Sequence, residues 1–391
     1  LFYFRGLPSN FKERVLIAKS RFNGKYPFFI SLFTLIFLSS GTYIYYTNNI
    51  LNKRTSSKES ELQTVEGEKK YKKYEAYAQP RIVSVNVDVD ISPKTRDLSA
   101  SGEYLMINKT QESIDSIFLD HNSLISTFKF NKENNLVLED TIYNLDIYKL
   151  KSALKPGDSL KLEFSIKNKP NTILRNNSSV ISNGTFINSS IFPSLGYQLG
   201  ELRDDKTRKK YGLPKNKLKP HPSDSTALGN TYIAKDADWI DFEATVSTSK
   251  DQIAIAPGYL QKEWIDGDRR YFHYKMDSKI LNFYAFNSAK YEIKKDKWNN
   301  VNLEIYYHKG HEYNLDRMMK GMKAALDYCT ENFSPYQHKQ LRIIEFPKTS
   351  GGFAQSFPNT IPFSESIGFI ADVDDSDEGG NDYAFFVSVH E

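Results

Sequence analysis

Residues 26–46 read YPFFISLFTLIFLSSGTYIYY and contain no charged side chain. A helix needs roughly 20 predominantly apolar residues to cross the hydrocarbon core of a bilayer, so this stretch is long enough. Tyrosines lie at both ends of the stretch, which suits the two membrane interfaces, where such amphipathic rings are enriched. The sequence therefore predicts a transmembrane helix over 26–46.

A secretory signal peptide fits this stretch less well, because the stretch is long, aromatic and preceded by 25 other residues. A buried core helix is the remaining alternative.

The charge distribution indicates an orientation for the membrane helix. The chain has a net charge of +4, but residues 1–25 contain six basic side chains and one acidic one, which leaves the remainder at −1. Since basic residues collect on the cytoplasmic side of membrane helices, we expect a cytoplasmic basic stub over 1–25. This clustering also argues against nucleic acid as a partner.

Residues 47–80 are polar, with acidic and basic side chains interleaved, and are interpreted as a charged juxtamembrane linker.

From residue 81 onward, apolar residues recur at every second position. The first run of alternating apolar residues is Val83, Val85, Val87, Val89 and Ile91. Further strand-like runs are 103–107, 116–119, 160–166, 241–246, 270–276 and 301–307. Alternation of this kind is typical of half-buried strands, so we predict an antiparallel all-β domain, a sandwich or saddle, over 81–306.

A helical period begins at Asn314, which is placed to cap the helix. The residues of one predicted face are Leu315, Met318, Met319, Met322, Leu326 and Cys329. Pro335 ends the helix. Cys329 is the single cysteine, so no intramolecular disulfide can form, and we expect it to be buried. A strand at 341–346, a strand pair within 353–370 and an apolar helical run at 383–391 follow. This order predicts that an α+β domain begins at residue 307.

The dipeptide His-Glu occurs at 311–312 and at 390–391. In the motif HExxH, two histidines one helical turn apart share one Zn²⁺, and the glutamate reaches the metal-bound water. Leu315 stands where the first pair would need its second histidine, so we interpret that pair as a chance occurrence. The second pair lies in the apolar run at the end of the sequence. We therefore expect the chain to be a fragment, cut after the first two residues of the motif.

Residues 81–391 resemble the aminopeptidase N family of gluzincin zinc metallopeptidases, in which a saddle-shaped all-β domain precedes a thermolysin-like catalytic domain. The segments that match are Ser101-Gly102-Glu103-Tyr104, Asn108-Lys109-Thr110, Phe192-Pro193, Phe242-Glu243-Ala244-Thr245-Val246 and Ala256-Pro257-Gly258. The run FAQSFPNTIPFSE at 353–365 falls where the family carries its GAMEN-type strand, and 390–391 falls where HExxH begins. The preceding membrane segment is similar to that of a bacterial subgroup fused to an ABC-transporter-type permease. The resemblance implies a multidomain fold: a transmembrane helix, an all-β domain, and a truncated thermolysin-like α+β domain over 307–391.

The resemblance also implies roles for particular residues. His390 is the first zinc ligand and Glu391 the general base. The other two zinc ligands lie beyond residue 391, so the zinc site is incomplete in this fragment. Ala354, Gln355 and Ser356 fall in the substrate-binding strand. Ser356 replaces the glutamate that pairs with the substrate's α-amino group, and a serine cannot supply that charge.

The implied function is that of a membrane-anchored zinc metallopeptidase that hydrolyses peptide bonds with zinc-activated water. The truncated chain is expected to be inactive. The implied location is the bacterial inner membrane, with 47–391 in the periplasm, so that the partners are peptide substrates and the lipid bilayer. The alternative, favoured by Ser356, is a non-catalytic peptidase-like module of a membrane transporter complex that binds peptide or a partner protein. Transporter subunits are then further partners.

Overall fold

The computed structural model describes residues 10–20, 22–51, 55–121, 125–170, 178–216, 219–225, 227, 233–374, 376 and 380–391. Part of the predicted basic stub, at 1–9 and 21, lies outside the described residues. The chain divides into two compact units. One unit comprises Leu1–Glu66 and Glu201–Leu213, and the other comprises Gly67–Gly200 and Pro214–Glu391.

The first unit contains the apolar helix. Its helices are α1 (Phe11–Ser20), α2 (Lys25–Tyr46), the start of α3 (Ser57–Tyr71), and α4 (Asp205–Lys210). Helix α2 continues as one π-helical turn through Thr47–Leu51. None of the side chains of α2 is buried, so it is not a core helix of the described structure. Lys25–Leu51 is long and apolar enough for a membrane span, and a signal sequence near an N-terminus has the same properties.

The second unit is mostly β-sheet, as the alternating patterns predict. Its described strands are β1 (Arg81–Ser92), β2 (Asp97–Ile107), β3 (Ile114–Asp120), β4 (Ile125–Phe130), β5 (Asn134–Asp140), β6 (Leu145–Leu154), β7 (Ser159–Asn168), β8 (Thr185–Asn188), β9 (Ser194–Leu195), β10 (Ala237–Ser249), β11 (Ile253–Ile255), β12 (Tyr259–Asp266), β13 (Arg269–Lys275), β14 (Ala285–Ala289), β15 (Tyr291–Trp298), β16 (Val301–His308), β17 (Gln340–Phe346) and β18 (Thr360–Ser364). Short 3-10 helices lie at Lys72–Ala76, Ser189–Ile191 and Lys348–Ser350.

Four sheets are formed by these strands. The largest has the order β12-β13-β10-β1-β2-β7-β4, and smaller sheets have the orders β5-β6-β3-β9 and β11-β14-β8. Val85, Val87 and Val89 of β1 are buried and belong to the largest apolar cluster, whereas Val83 lies at an irregularity in the register and Ile82 joins the cluster in its place. The sheet is not purely antiparallel, because β1 pairs in parallel with β10 in a register that places Val87 opposite Ala244. A local hydrophobic period cannot reveal a pairing between strands so far apart in sequence.

The fourth sheet, β15-β16-β17-β18, carries the features that matter for the site. The pairs β16–β17 and β17–β18 are parallel, so the carboxyl ends of these three strands lie at one edge. Helix α5 (Leu315–Asn332) packs its Met318, Met319 and Met322 into the apolar cluster of this sheet. The predicted amphipathic helix is therefore confirmed.

Two details of α5 differ from the sequence-based expectation. Asn314 is at the N-cap position, but its side chain makes no capping hydrogen bond. Its amide instead donates to the carbonyl oxygens of Gly368 at 2.7 Å and Ala371 at 2.8 Å, and so holds the segment after β18. Cys329 is exposed instead of buried, because it lies in the last turn, past Leu326, the last buried residue of the helix.

Candidate functional site

Residues 353–357, the edge segment, run antiparallel to β18. Isolated bridges join Ala354 to Phe363 and Phe357 to Thr360. The backbone N–H of Gln355 donates to the Pro362 carbonyl at 3.1 Å. The predicted strand pair within 353–370 thus ends at Ser364, and turns follow.

The backbone of the edge segment faces in two directions. In an antiparallel pair, neighbouring residues alternate between bonding to the partner strand and facing away from it. Gln355 bonds to β18, so the N–H and C=O groups of Ala354 and Ser356 face away from β18. Of the three predicted substrate contacts, Ala354 and Ser356 therefore present outward-facing backbone groups, whereas the N–H of Gln355 is already engaged.

Helix α6 (Tyr383–His390) ends on the histidine of the second His-Glu pair, and Glu391 is its C-cap residue. Its N-terminus is capped by Asp382, whose carboxylate accepts the Phe385 N–H at 2.8 Å. Gly321 of α5 lies where α6 crosses it, because a Cβ there would come within 2.9 Å of the Phe385 carbonyl oxygen and the Ser388 Cβ. A residue without a side chain is thus what lets the two helices approach this closely.

The end of α6 is tied to the edge segment. The Ser356 hydroxyl donates a hydrogen bond to the backbone carbonyl of Glu391. The Glu391 N–H donates to the Val387 carbonyl at 3.0 Å, so the helical hydrogen-bond pattern continues through this residue. His390 is exposed, and its ring stacks on Phe386 one turn earlier, with centroids 6.1 Å apart. The fold therefore brings Ser356 and Glu391 together and leaves the His390 imidazole accessible.

His390 does not complete a zinc site within the described residues. A zinc centre of the catalytic class takes three protein ligands. The described part of the chain contains one group of at least three histidine, cysteine or acidic side chains close enough to hold a metal, and His390 is not in it.

That group consists of His308, His311, Glu345 and Glu365, here called the His–Glu cluster. One potential ligand atom from each residue lies within 4.8 Å of the other three. His308 is the last residue of β16, Glu345 lies near the end of β17, and Glu365 directly follows β18. His311 comes from the connection between β16 and α5. The parallel arrangement of the three strands is therefore what brings the cluster together.

Glu345 is at the centre of the cluster and is fully buried. Its Oε2 accepts the His308 N–H at 2.6 Å, and its Oε1 lies 3.2 Å from the His308 Nδ1 and is hydrogen-bonded to the His311 Nδ1. Burial raises the pKa of the Tyr291 phenol well above its ordinary value, and the Glu345 carboxylate adds to the shift. Tyr291 thus remains a neutral donor to the Glu345 carbonyl oxygen at 2.9 Å, and its ring stacks on His308.

Sequence reasoning missed the His–Glu cluster and dismissed His311 as part of a chance His-Glu pair. Two signals were available. His308 and His311 are three residues apart at the end of a predicted strand, and Glu345 stands between the apolar residues Ile344 and Phe346 of another predicted strand. A charged residue in such a run is rare unless it has a partner. The partner residues come from other strands, and their proximity depends on a strand order that the sequence did not show.

No protein-family model matches the chain, and no curated protein matches it. Among solved structures, it is similar to the crystal structure of an M1 zinc metallopeptidase from Deinococcus radiodurans, with 12% identity and a TM-score of 0.47, over 74% of this chain and 61% of that one. A mutant of that metallopeptidase bound to a Tyr-Ser-Ala substrate gives 11% identity and a TM-score of 0.48, over 73% and 60% of the two chains. The chain thus spans about three fifths of the length of these structures. A similarity at this level does not assign a family or an activity.

Proposed function

We propose that this chain is the front part of a membrane-anchored zinc metallopeptidase. In this proposal the edge segment binds the peptide, and the end of α6 contributes the first zinc ligand, His390, and the general base, Glu391. The observation that carries the proposal is the hydrogen bond from the Ser356 hydroxyl to the Glu391 carbonyl. It supports the proposal because a peptide laid along the edge segment would lie next to the helix end that carries these two side chains.

The edge segment is suited to bind an extended peptide by strand addition. Ala354 and Ser356 direct their backbone donors and acceptors away from β18, as deduced from the Gln355 hydrogen bond. An extended peptide can pair with such groups, and the main-chain hydrogen bonds then supply affinity without requiring a particular sequence. Ser356 offers a hydroxyl and no charge, so we propose that binding does not depend on a free α-amino group.

The chemistry of α6 follows from its helical geometry. His390 and Glu391 are consecutive, so a second histidine separated from Glu391 by two residues would lie on the same helical face as His390. We propose that this histidine, and a glutamate roughly 18 residues further along, follow residue 391 in the natural polypeptide. Zinc, when bound there, would supply Lewis-acid activation of water. The Glu391 carboxylate is the group that would accept a proton from the attacking water.

Helix α2 is the proposed anchor. It exposes an apolar surface along its whole length, and a helix of this kind is stable in a bilayer but not in water. The excess of basic residues on its N-terminal side favours the cytoplasm for that end, and residues 47–391 are then extracytoplasmic. A permease of the transporter type is the proposed context of this anchor.

The test of peptide binding uses the purified 391-residue chain in detergent. A fluorescent eight-residue peptide is compared with a version that carries backbone N-methyl groups at alternate residues and with a version that carries them at every residue. Strand addition requires one unblocked edge of the peptide, so the alternately methylated peptide should bind like the parent and the fully methylated peptide roughly tenfold more weakly or worse. Equal binding by all three peptides would contradict the edge segment as the binding site.

The second test is to read the coding sequence beyond residue 391. A histidine after two intervening residues, followed by the more distant glutamate, supports the peptidase. If both are absent and the peptide still binds, the chain is a non-catalytic peptide-binding module, the function that the uncharged Ser356 favours.

A further inference from the structure

We propose that the His–Glu cluster binds a divalent first-row transition metal at a site separate from His390. The proposal does not rest on the peptidase function, because none of its four residues belongs to the edge segment or to α6. It rests on the donor atoms, their spacing, and a fully buried carboxylate whose described ion-pair partners are the two histidines.

The spacing of the donor atoms is close to that of a metal site. In a tetrahedral zinc site, bonds of about 2.1 Å place neighbouring donor atoms about 3.4 Å apart. One donor atom from each of the four side chains already lies within 4.8 Å of the other three. The His308 Nδ1 is 3.2 Å from the Glu345 Oε1, and the His311 Nδ1 is hydrogen-bonded to the same oxygen. The side chains need to move by only an ångström or so to share one ion.

Burial gives the second reason. His308 is 8% exposed, and the Glu345 carboxylate that its Nδ1 faces is fully buried. A buried carboxylate costs free energy unless a charge or hydrogen-bond donors compensate it. Among the described residues, the ion-pair partners of the fully buried Glu345 are the two histidines, with no lysine or arginine. A divalent cation bound between the carboxylate and the two imidazoles would compensate the carboxylate charge.

The fold also provides access and support. The His311 side chain is 28% exposed and Glu365 is half-buried, so an ion can reach the cluster from solvent. The Tyr291 ring, which stacks on His308, and the hydrogen bond from the Lys348 N–H to Glu365 at 3.1 Å hold two of the ligands in place. Outer contacts of this kind orient metal ligands. The carboxyl ends of parallel strands are, moreover, a common location for ligand sites in sheets of this type.

The donor set indicates the class of metal. Two imidazoles and two carboxylates suit Zn²⁺, Co²⁺, Ni²⁺ and Mn²⁺, whereas Mg²⁺ and Ca²⁺ prefer all-oxygen sites. A bound ion would join the ends of β16, β17 and β18 to the β16–α5 connection. We therefore assign the site a structural role, in which it fixes the start of α5 against the sheet.

The experiment titrates the chelator-treated 391-residue chain with Co²⁺ and follows the visible absorption of the ion, after which Zn²⁺ is added as competitor. The expected result is one Co²⁺ per chain, displaced by Zn²⁺ but not by excess Mg²⁺ or Ca²⁺. Glu365→Gln is the most informative variant, because a glutamine oxygen can still accept the Lys348 N–H while the ligand charge is lost. It is expected to weaken Co²⁺ binding roughly 10–100-fold, and His311→Gln is expected to do the same.

His390→Gln is the matched control, since it removes the exposed histidine of α6 and leaves the cluster intact. Its Co²⁺ affinity and spectrum should equal those of the unmodified chain. Circular dichroism of each variant verifies folding. If Co²⁺ binding is lost in His390→Gln and kept in Glu365→Gln, the metal belongs to α6, and the cluster proposal is overturned while the proposed function gains support. The absence of stoichiometric binding to a folded, unmodified chain overturns the cluster proposal alone.

Discussion

The Arg317 Nη1 lies 2.8 Å from the Asp382 Oδ2, and the other oxygen of the same carboxylate accepts the Phe385 N–H at 2.8 Å. One aspartate therefore caps α6 and also links it to α5. Because the end of α6 carries His390 and Glu391, this contact helps to determine where the proposed catalytic residues lie.

Asp382→Ala should loosen α6. The substitution removes the N-cap and the ion pair with Arg317, and loss of a cap costs about 1 kcal/mol. We expect the free energy of unfolding to fall by about 1–2 kcal/mol and amide hydrogen exchange in α6 to become faster. Asp372→Ala is the control, because Asp372 is exposed and precedes α6 without capping it. Equal exchange rates in the two variants would show that Asp382 does not hold the helix.

Gly321→Ala tests the close crossing of α5 and α6. Alanine is the better helix former by about 1 kcal/mol, so in an open position it would stabilise α5. Its Cβ would, however, lie 2.9 Å from the Phe385 carbonyl oxygen, and overpacking of this kind costs about 1–3 kcal/mol. We expect a net loss of stability in urea unfolding. Gly200→Ala, where a Cβ meets nothing within 4 Å, should cause no comparable loss. A stabilised Gly321→Ala chain would mean that the helices are further apart than described.

Arg342→Lys should be strongly destabilising although it keeps the charge. The Arg342 Nη2 lies 2.7 Å from the Ala256 carbonyl oxygen, 3.0 Å from the Asn359 Oδ1 and 2.8 Å from the Thr360 Oγ1, all in buried surroundings. A lysine ammonium cannot reproduce the planar guanidinium, and buried acceptors that lose their donors cost about 1–3 kcal/mol each. We expect a loss of about 2–4 kcal/mol in urea unfolding. Lys339→Ala, which removes a surface ion pair with Asp277 and a cation–π contact with Tyr259, should cost less, about 1 kcal/mol.

Asp120 should make the stability depend on pH. Burial raises the pKa of its carboxyl to about 7, against the opposing effect of His121 and with a further contribution from Asp236. A folded-state pKa above the unfolded one means that protonation stabilises the fold. This stabilisation is complete below about pH 4 and is lost as the pH rises through 7. We expect Asp120→Asn to be more stable than the unmodified chain at pH 8, by roughly 2–4 kcal/mol, and to have no such advantage at pH 4. If the difference in unfolding free energy between Asp120→Asn and the unmodified chain does not change with pH, ionisation of Asp120 does not destabilise the native state.

The sequence predicted the elements better than their arrangement. The alternation of Val85, Val87 and Val89 is a local signal, and these residues are buried in β1 as expected. The parallel pairing of β1 with β10 was not predictable, because nothing local distinguishes a parallel from an antiparallel partner. Asn314 was recognised as an N-cap from residue type alone, but the carbonyl groups of Gly368 and Ala371 attract its amide in the fold.

In the candidate site, too, the individual elements were predicted and their arrangement was not. The helix that contains His390 was predicted from its apolar run, and α6 is present. The His–Glu cluster was not predicted, because His311 and Glu345 become neighbours only when β16 and β17 pair. Metal ligands that lie on one helix can be recognised from their spacing in the sequence. Ligands that lie on three strands and a connecting segment can be recognised only when the order of the strands in the sheet is known.

The most direct test of the account is the effect of Glu391→Gln on peptide hydrolysis by the natural polypeptide that contains this chain. The substitution keeps the size of the side chain and removes the carboxylate proposed to accept a proton. We predict that kcat falls roughly 10²–10⁴-fold while the affinity for peptide stays within a few-fold, since the edge segment is unchanged. Hydrolysis at an unchanged kcat by the Glu391→Gln protein would contradict the assignment of the α6 end as the catalytic base.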